Sequence, residues 1–415
     1  MNILDLTALL IVLAGLFGSV NYLFLRLPAA IGILIVALAT SLSLMLIEVI
    51  FPSASITGEM RDLVLEIDFA DTLLQGMLGL LLFAGALHVK LDELRERAVI
   101  VAVMATLGVG ISTAVAGYGF HYLTGAPILV ALVFGALISP TDPVAVMGVL
   151  REANLRKSLE VKIAGESLFN DGVGYVVFLL MVGLAFPSAN HDETGVSGGL
   201  ILFAEEAGGG ALLGAVLGWL TFQLMKRIDD HALEVLLSLG LVAGGYALAA
   251  QLHFSGPIMA VVAGLFIGDV GMRHGMSEQT RAYVTTFWEL IDEILNAVLF
   301  LLIGVEVFAL AFSMEALTAG VLSIGLSLIA RLAAVAIPVG LLAPFRRYSR
   351  DLIPIMTWGG LKGGISVALA LSLPDSEWKP LILTSTYVVV VFSIIVQGLT
   401  VGKLARYLNR EQELL

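Results

Sequence analysis

Long apolar runs alternate with short polar breaks along this chain, and the runs are too long for the core elements of a soluble domain. Runs of about 17 residues or more, enough to cross hydrocarbon as a helix, begin near residues 3, 27, 69, 98, 125, 158, 198, 232, 254, 282, 317, 352 and 380. The pattern predicts thirteen transmembrane helices. Inside the sixth run, GESLFNDGVGYVVF at residues 165–178 places Glu166, Ser167, Asn170 and Asp171 within six positions. At about 100° per residue these four fall within an arc of about 140° on one helix face, which Gly174 shares, while Leu168, Phe169, Val173 and Val176 point elsewhere. The polar groups are therefore expected to form one stripe.

Composition agrees with the pattern. Hydrophobic residues make up 59% of the chain and charged residues 13%, whereas a soluble domain carries about 25% charged residues. The chain is read as an all-α polytopic membrane protein. With no cysteine, disulfides, thiolate catalysis and Cys-ligated metals are excluded. The six histidines show no HExxH or other metal-ligand spacing. The start of the chain, MNILDLTALLIVLAGLFG, lacks the basic region of a cleaved leader and is expected to be the first helix.

The net charge of -12 matters less than which loops hold each sign. Eighteen of the 22 Lys and Arg residues fall in one alternate set of loops, from Arg26 through Arg95, Arg156, Arg227, Arg281 and Arg350 to Arg410, and only Arg61 and Lys379 in the other. Positive loops face the cytoplasm, so the N-terminus is expected outside and the C-terminus in the cytoplasm of the cell's inner membrane, with no soluble domain left to place. The two basic residues that remain, Arg331 and Lys362, lie within spans, as do Asp142, Glu166 and Asp171. A charge at a helix centre costs roughly 3 kcal/mol on an insertion scale. Five such charges approach the whole stability of a folded protein, about 5–15 kcal/mol, so partners or a use for them are expected.

Two spans carry interruptions. The fifth, PILVALVFGALISPTDPVAVMGVL, is broken at Ser139-Pro140-Thr141-Asp142-Pro143, because each proline lacks an N–H and disfavours helix at the residue before it. Thr141 or Asp142 is expected to cap a half-helix starting at Pro143, leaving free carbonyls on one side of the break and a positive helix end on the other. The twelfth span is weak at Gly359-Gly360-Leu361-Lys362-Gly363-Gly364. Interrupted helices at corresponding places in two halves point to a transporter site. Spans 1–6 and 8–13 are read as two inverted six-helix repeats joined by span 7, so that the broken spans 5 and 12 correspond and Lys362 offsets the dipoles at the broken ends.

These residues carry a resemblance to the NhaP-type sodium/proton antiporters, relatives of the animal sodium/proton exchangers. It rests on SPTDPVAV at 139–146, GESLFNDGVG at 165–174, SGPIMAVVAGLFIG at 255–268, WGGLKGGISVALAL at 358–371 and QGLT at 397–400, the first two being specific in their order and spacing. The resemblance implies a NhaA-like fold with broken crossing helices 5 and 12, scaffold and dimerisation helices at 1–90 and 230–310, core transport helices at 97–186 and 317–405, and a linking helix at 198–226. It implies a homodimer working by elevator-like alternating access. Asp171 resembles the transport carboxylate that binds a cation or a proton. Thr141 and Asp142 look like the residues of the unwound segment that line the site, Ser167 like a cation ligand, and Asn170 like the neutral partner associated with electroneutral exchange. Glu166 and Arg331 resemble a buried structural pair, and Lys362 stands where relatives carry a basic residue. The chain departs from the pattern once: Ala84 stands between Phe83 and Gly85 where many relatives have Glu.

The chemistry implied is not enzymatic and needs no cofactor beyond the transported ions. Burial favours the neutral form of a carboxylic acid and a nearby hard cation favours the ionised form, so a proton and a sodium, lithium or potassium ion compete for Asp171. One proton against one sodium moves no net charge. At this level Asp142 serves equally as a simple cap, Ser167 and Asn170 as helix-to-helix bonds, and Glu205, Glu206, Glu289, Asp292 and Glu293 as wet helix ends or a cation funnel. A cation channel or a potassium-selective exchanger is the alternative reading. An intramembrane hydrolase lacks a histidine beside Ser167, and an organic-anion symporter would present a cation in place of Asp171.

Overall fold

The computed structural model describes residues 3–51, 58, 69, 72–142, 156–186, 196–310, 313–345 and 348–408, and every regular element among them is helical. Helix α1 (Ile3–Val20) and helix α2 (Ala29–Ile50) are followed by α3 (Leu78–Leu87). Helix α4 starts at Leu91–Val103 and continues through a π-helical turn, Met104–Gly108, into Val109–Thr124. Then come α5 (Ile128–Leu137), α6 (Lys157–Ala185), α7 (Val196–Met225), α8 (His231–Gln251), α9 (Gly256–Phe266), α10 (Glu278–Val305) and α11 (Met314–Leu342). Two short pieces, α12 (Leu352–Trp358) and α13 (Gly364–Leu371), precede α14 (Lys379–Phe392), which runs on through a π-helical turn, Ser393–Gln397, into Gly398–Leu408. Among the described residues nine helices are long and apolar enough to cross a membrane, while α3 and α5 are shorter apolar helices.

Local chemistry sets the helix starts. Asp230, Ser255, Ser277 and Ser313 each accept a hydrogen bond from a backbone N–H in the first turn of α8, α9, α10 and α11, satisfying donors that have no partner inside a helix. Proline supplies the fixed φ that opens α2 and α5, at Pro28 and Pro127. Helix α4 differs from the expected start near residue 98: it begins at Leu91, because Asp92 and Glu93 favour a helix N-terminus and Arg97 Nη1 bonds the Glu93 carbonyl at 2.8 Å.

Helices α4, α5, α6, α11 and α14 pack on one another, and α2, α3, α7, α8, α9 and α10 pack on one another. Helix α6 touches both sets, through α5 and α4 on one side and α7 and α9 on the other. Large apolar side chains such as Val12, Leu46, Leu236 and Ile329 remain exposed on the long helices, a surface suited to acyl chains. Two interruptions sit inside this packing. Helix α5 stops at Leu137, and Ser139–Asp142 are non-helical; the half-helix expected from Pro143 lies outside the described residues. Residues 360–363 are non-helical between α12 and α13.

The polar ends of two helices are tied by Arg156, which precedes α6, and Asp351, which precedes α12; Arg156 Nη2 donates to Asp351 Oδ2. Burial works against the charge on Asp351, but hydrogen bonds from Ser349 and Arg156 outweigh it and hold its carboxyl below the usual carboxylate range. A depressed pKa contributes stability above the unfolded value, about 3.9, and loses it as pH falls through the folded value. Asp351→Asn is therefore expected to lower the melting temperature at pH 7, by about 1 kcal/mol of stability. The difference from wild type should begin to shrink below pH ~4 and disappear only at lower pH, as the folded-state carboxyl protonates, which thermal unfolding in detergent across pH will check.

Candidate functional site

The site forms where the two unwound segments cross. Asp142 N–H donates to the Leu361 carbonyl at 2.8 Å, so each break satisfies part of the other. Irregular backbone at membrane depth is tolerated only under such conditions. The crossing leaves no room for a side chain at residue 363: a Cβ on Gly363 would lie 2.5 Å from Asp142 Cβ and 2.8 Å from its carboxylate carbon. Likewise a Cβ on Gly360 would lie 2.7 Å from the guanidinium carbon of Arg331. Gly360 and Gly363 are thus demanded by close approach.

The polar stripe of α6 lies against the first break. Asn170 grips Thr141 at two points, its Nδ2 donating to Thr141 Oγ1 at 2.8 Å and its Oδ1 accepting from Thr141 N–H at 3.2 Å. Thr141 Oγ1 and Ser167 Oγ are 2.9 Å apart; with the Thr141 oxygen already accepting from Asn170, its own proton is available to Ser167. Ser139 Oγ donates to the Gly135 carbonyl at 2.7 Å and lies 3.2 Å from Thr113 Oγ1. Asp171, only 5% exposed, follows Asn170 on the same stripe. Asp142 and Lys362 are the charged groups that act on it.

Lys362 reaches across the crossing. Its Nζ donates to the carbonyls of Ser139 and Pro140 at 3.2 and 3.3 Å, the oxygens left without helical partners where α5 ends. The cation therefore sits at a negative helix end, where it is favoured. Glu166 and Arg331 form a second, separate arrangement. Arg331 presents its fork to Glu166, with Nη1 donating to Oε1 and Nη2 to Oε2 at 2.7 Å, and its Nε donates to the Met356 carbonyl at 3.1 Å. One guanidinium thus ties α6 and α11 to the end of α12.

The structure brings together Thr141, Ser167 and Asn170 by direct hydrogen bonds, Asp142 with Leu361 through the backbone, and Lys362 with the same broken segment. Among the described residues no group of three or more His, Asp or Glu side chains is arranged to hold a metal ion. Ala84 is fully buried, and its carbonyl accepts from His88 Nδ1 at 2.7 Å. Of the ambiguous acids, Glu289 lies 3.6 Å from His88 Nε2 and is half-exposed, and Asp292 accepts from Asn296 Nδ2 at 3.1 Å.

Comparison with known proteins gives the arrangement a family. The profile described as "Sodium/hydrogen exchanger, transmembrane" matches residues 8–407. The chain is 47% identical to the Na(+)/H(+) antiporter NhaP of Pseudomonas aeruginosa over 99% of its own length and 98% of that protein. It is 35% identical to the Na(+)/H(+) antiporter NhaH of Halobacillus aidingensis over 82% of its length and 84% of that protein. It belongs to the sodium/hydrogen exchanger family. The fold is similar to that of the sodium proton antiporter MjNhaP1 from Methanocaldococcus jannaschii, with a TM-score of 0.75 at 20% identity, covering 98% of each chain.

Within this exchanger-family fold, some polar residues escaped the sequence pattern. Glu234 and Glu306 are buried acids, 0% and 3% exposed, at the ends of long helices where exposure was the natural reading. Ser393 and Gln397 are buried beside the second break; Gln397 was signalled only by the QGLT motif, and Ser393 by nothing. The Met356 carbonyl that receives Arg331 had no signal at all, since any residue offers a carbonyl.

Removing one partner of a buried pair costs about 3–5 kcal/mol, whereas replacing both with apolar residues of similar volume is often neutral. Glu166→Gln should thus reduce folded yield in a size-exclusion assay. Glu166→Leu combined with Arg331→Met should recover much of it, leaving the unmet Met356 carbonyl.

Proposed function

We propose that the chain is a secondary active antiporter that exchanges a monovalent cation, sodium, for H⁺ in the inner membrane. The observation that carries the reading is the crossing of two unwound segments beside the buried Asp171, in a chain nearly half identical to a named Na(+)/H(+) antiporter over its full length. Asp171 is the group for which proton and cation compete, with oxygens of Thr141, Asp142, Ser167 and Asn170 around the ion and water completing the shell. Antiport follows when the site reorients while Asp171 holds either ligand, but not when it is ionised and empty. The hydrogen-bonded core of Thr141, Ser167 and Asn170 holds these oxygens in place. The bidentate Glu166–Arg331 pair serves structure, because both charges are already matched.

The proposed stoichiometry is one for one, since Asn170 has no proton to exchange and Lys362 is engaged with the carbonyls of the break. Alternating access is proposed to move the helices of 97–186 and 317–405 against those of 1–90 and 230–310, joined by 198–226. Support comes from the way the described helices pack in two sets with α6 between them. Thirteen spans in two inverted repeats, a NhaA-like arrangement, a homodimer, and an outside N-terminus with a cytoplasmic C-terminus complete the proposal. The alternation of basic loops supports that topology.

Reconstitution into liposomes with an imposed pH gradient tests the reading. Added sodium should release the gradient in the wild type, and Asp171→Asn should abolish that release; sodium-driven proton flux retained by the variant would refute the role of Asp171. Direct competition at one site further requires the apparent KM for sodium to rise by about tenfold per pH unit at the acid end. Clamping the membrane voltage should leave the wild-type rate unchanged, while Asn170→Asp should make it voltage-sensitive, since each uncompensated charge couples at about 2.3 kcal/mol per 100 mV. Conductive sodium flux without proton movement would instead identify a channel.

A further inference from the structure

The second break is held open by a clasp that neither the proposed ion ligands nor the charged pair includes. Ser393 accepts a hydrogen bond from Lys362 N–H at 2.8 Å and donates its own proton to Gln397 Oε1 at 2.7 Å. Gln397 Nε2 in turn donates to the Trp358 carbonyl at 3.0 Å. Two side chains therefore bridge the break, satisfying a carbonyl on its α12 side and an N–H within it. Both are buried, Ser393 at 0% and Gln397 at 3% exposure, so no bulk water is available to replace these bonds. The Trp358 indole N–H is held as well, by Thr400 Oγ1 at 2.9 Å. Gln397 and Thr400, the polar members of QGLT, thus grip one residue by its backbone and its ring.

The clasp lies on an irregular turn of α14. Ser393–Gln397 is a π-helical turn, and single wide turns of this kind are frequent at functional sites because they re-aim side chains. Here Ser393 and Gln397, the first and last residues of the wide turn, face the break and each other. The same residue, Lys362, gives its backbone N–H to Ser393 and its ammonium to the Ser139 and Pro140 carbonyls. Its adjoining Leu361 carbonyl receives Asp142 N–H. Where residue 362 sits along the break accordingly sets where the ammonium and the Asp142 backbone sit.

We propose that Ser393 and Gln397 are positioning residues for ion exchange: their hydrogen-bonded bridge across the second break fixes Lys362 and, through Leu361, Asp142 relative to Asp171. The assignment rests on the antiport reading above and adds two residues that touch no transported ion. Loosening the bridge spoils the preformed arrangement of oxygens and charge and weakens cation binding.

The test measures sodium KM and maximal rate of wild type and variants in the same liposomes, with melting temperature and folded amount recorded beside them. Gln397→Leu should raise KM by about threefold to tenfold, the range set by loss of one buried hydrogen bond. Adding Ser393→Ala should raise it little further, because the two side chains act as one unit, while Ser393→Thr alone, which keeps the hydroxyl, should leave KM near the wild-type value. Gln397→Glu keeps the size and carries the discriminating signature. When protonated it accepts from Ser393 and donates to the Trp358 carbonyl, preserving the clasp; when ionised it opposes that carbonyl with a second acceptor. The ratio of its KM to that of the wild type should consequently be near one at the acid end and grow with pH. A purely structural role would lower melting temperature or yield but leave KM per folded molecule, and its pH profile, as in the wild type; that result overturns the proposal. Should Gln397→Leu fail to fold, the Gln397→Glu profile decides alone. A wild type that moves no protons with sodium overturns the antiport reading, and this assignment with it.

Discussion

Everything at the centre of this protein depends on how broken backbone is satisfied far from bulk water. A helix that stops in hydrocarbon exposes carbonyls on one side and N–H groups on the other, and each unmet group costs several kcal/mol. Here two broken segments meet, and the groups of one serve the other: Asp142 N–H goes to the Leu361 carbonyl, and the Lys362 ammonium to the carbonyls of Ser139 and Pro140. Asn170, Ser393 and Gln397 supply further bonds from neighbouring helices. The interruptions are thus stable because they cross, and the crossing brings polar groups to one place.

Charge follows from this geometry. Lys362 is matched by helix-end carbonyls and Arg331 by Glu166 and the Met356 carbonyl. Asp171, by contrast, lies near one like and one unlike charge, Asp142 and Lys362. An acid in that balance has reason to take either a proton or a cation, which is the chemical requirement of the proposed exchange. Arg331 and Lys362 are not interchangeable in these roles. The planar fork suits a two-oxygen partner, and the compact ammonium suits two converging carbonyls.

Much of this was legible in the order of residues. The long apolar runs, the polar stripe at 166–171 and the prolines at 140 and 143 each report a local constraint, and local constraints survive in a one-dimensional string. Family membership was legible too, because SPTDPVAV and GESLFNDGVG, in that order and spacing, carried the resemblance that the match over residues 8–407 bears out. The start of α4 was misjudged by several residues, since a charged segment beside a span reads equally as loop or as helix end. The burial of Glu234 and Glu306 was missed for a related reason: an acid near a helix end is normally wet, and only the packing of other helices over it says otherwise.

By itself the sequence determined the helical class, the membrane-spanning character, the places where helices must break, and the residues able to carry charge into the bilayer. Those follow from the transfer cost of each side chain and from the missing N–H of proline, which do not depend on distant neighbours. Only the tertiary structure decided which groups meet: that Asn170 clamps Thr141, that Arg331 reaches past Glu166 to a backbone carbonyl, that Gly363 faces Asp142, and that Gln397 spans a break 39 residues earlier in the chain. Such pairings are set by how whole helices pack, and a hydrogen bond between distant residues leaves no periodic trace along the chain.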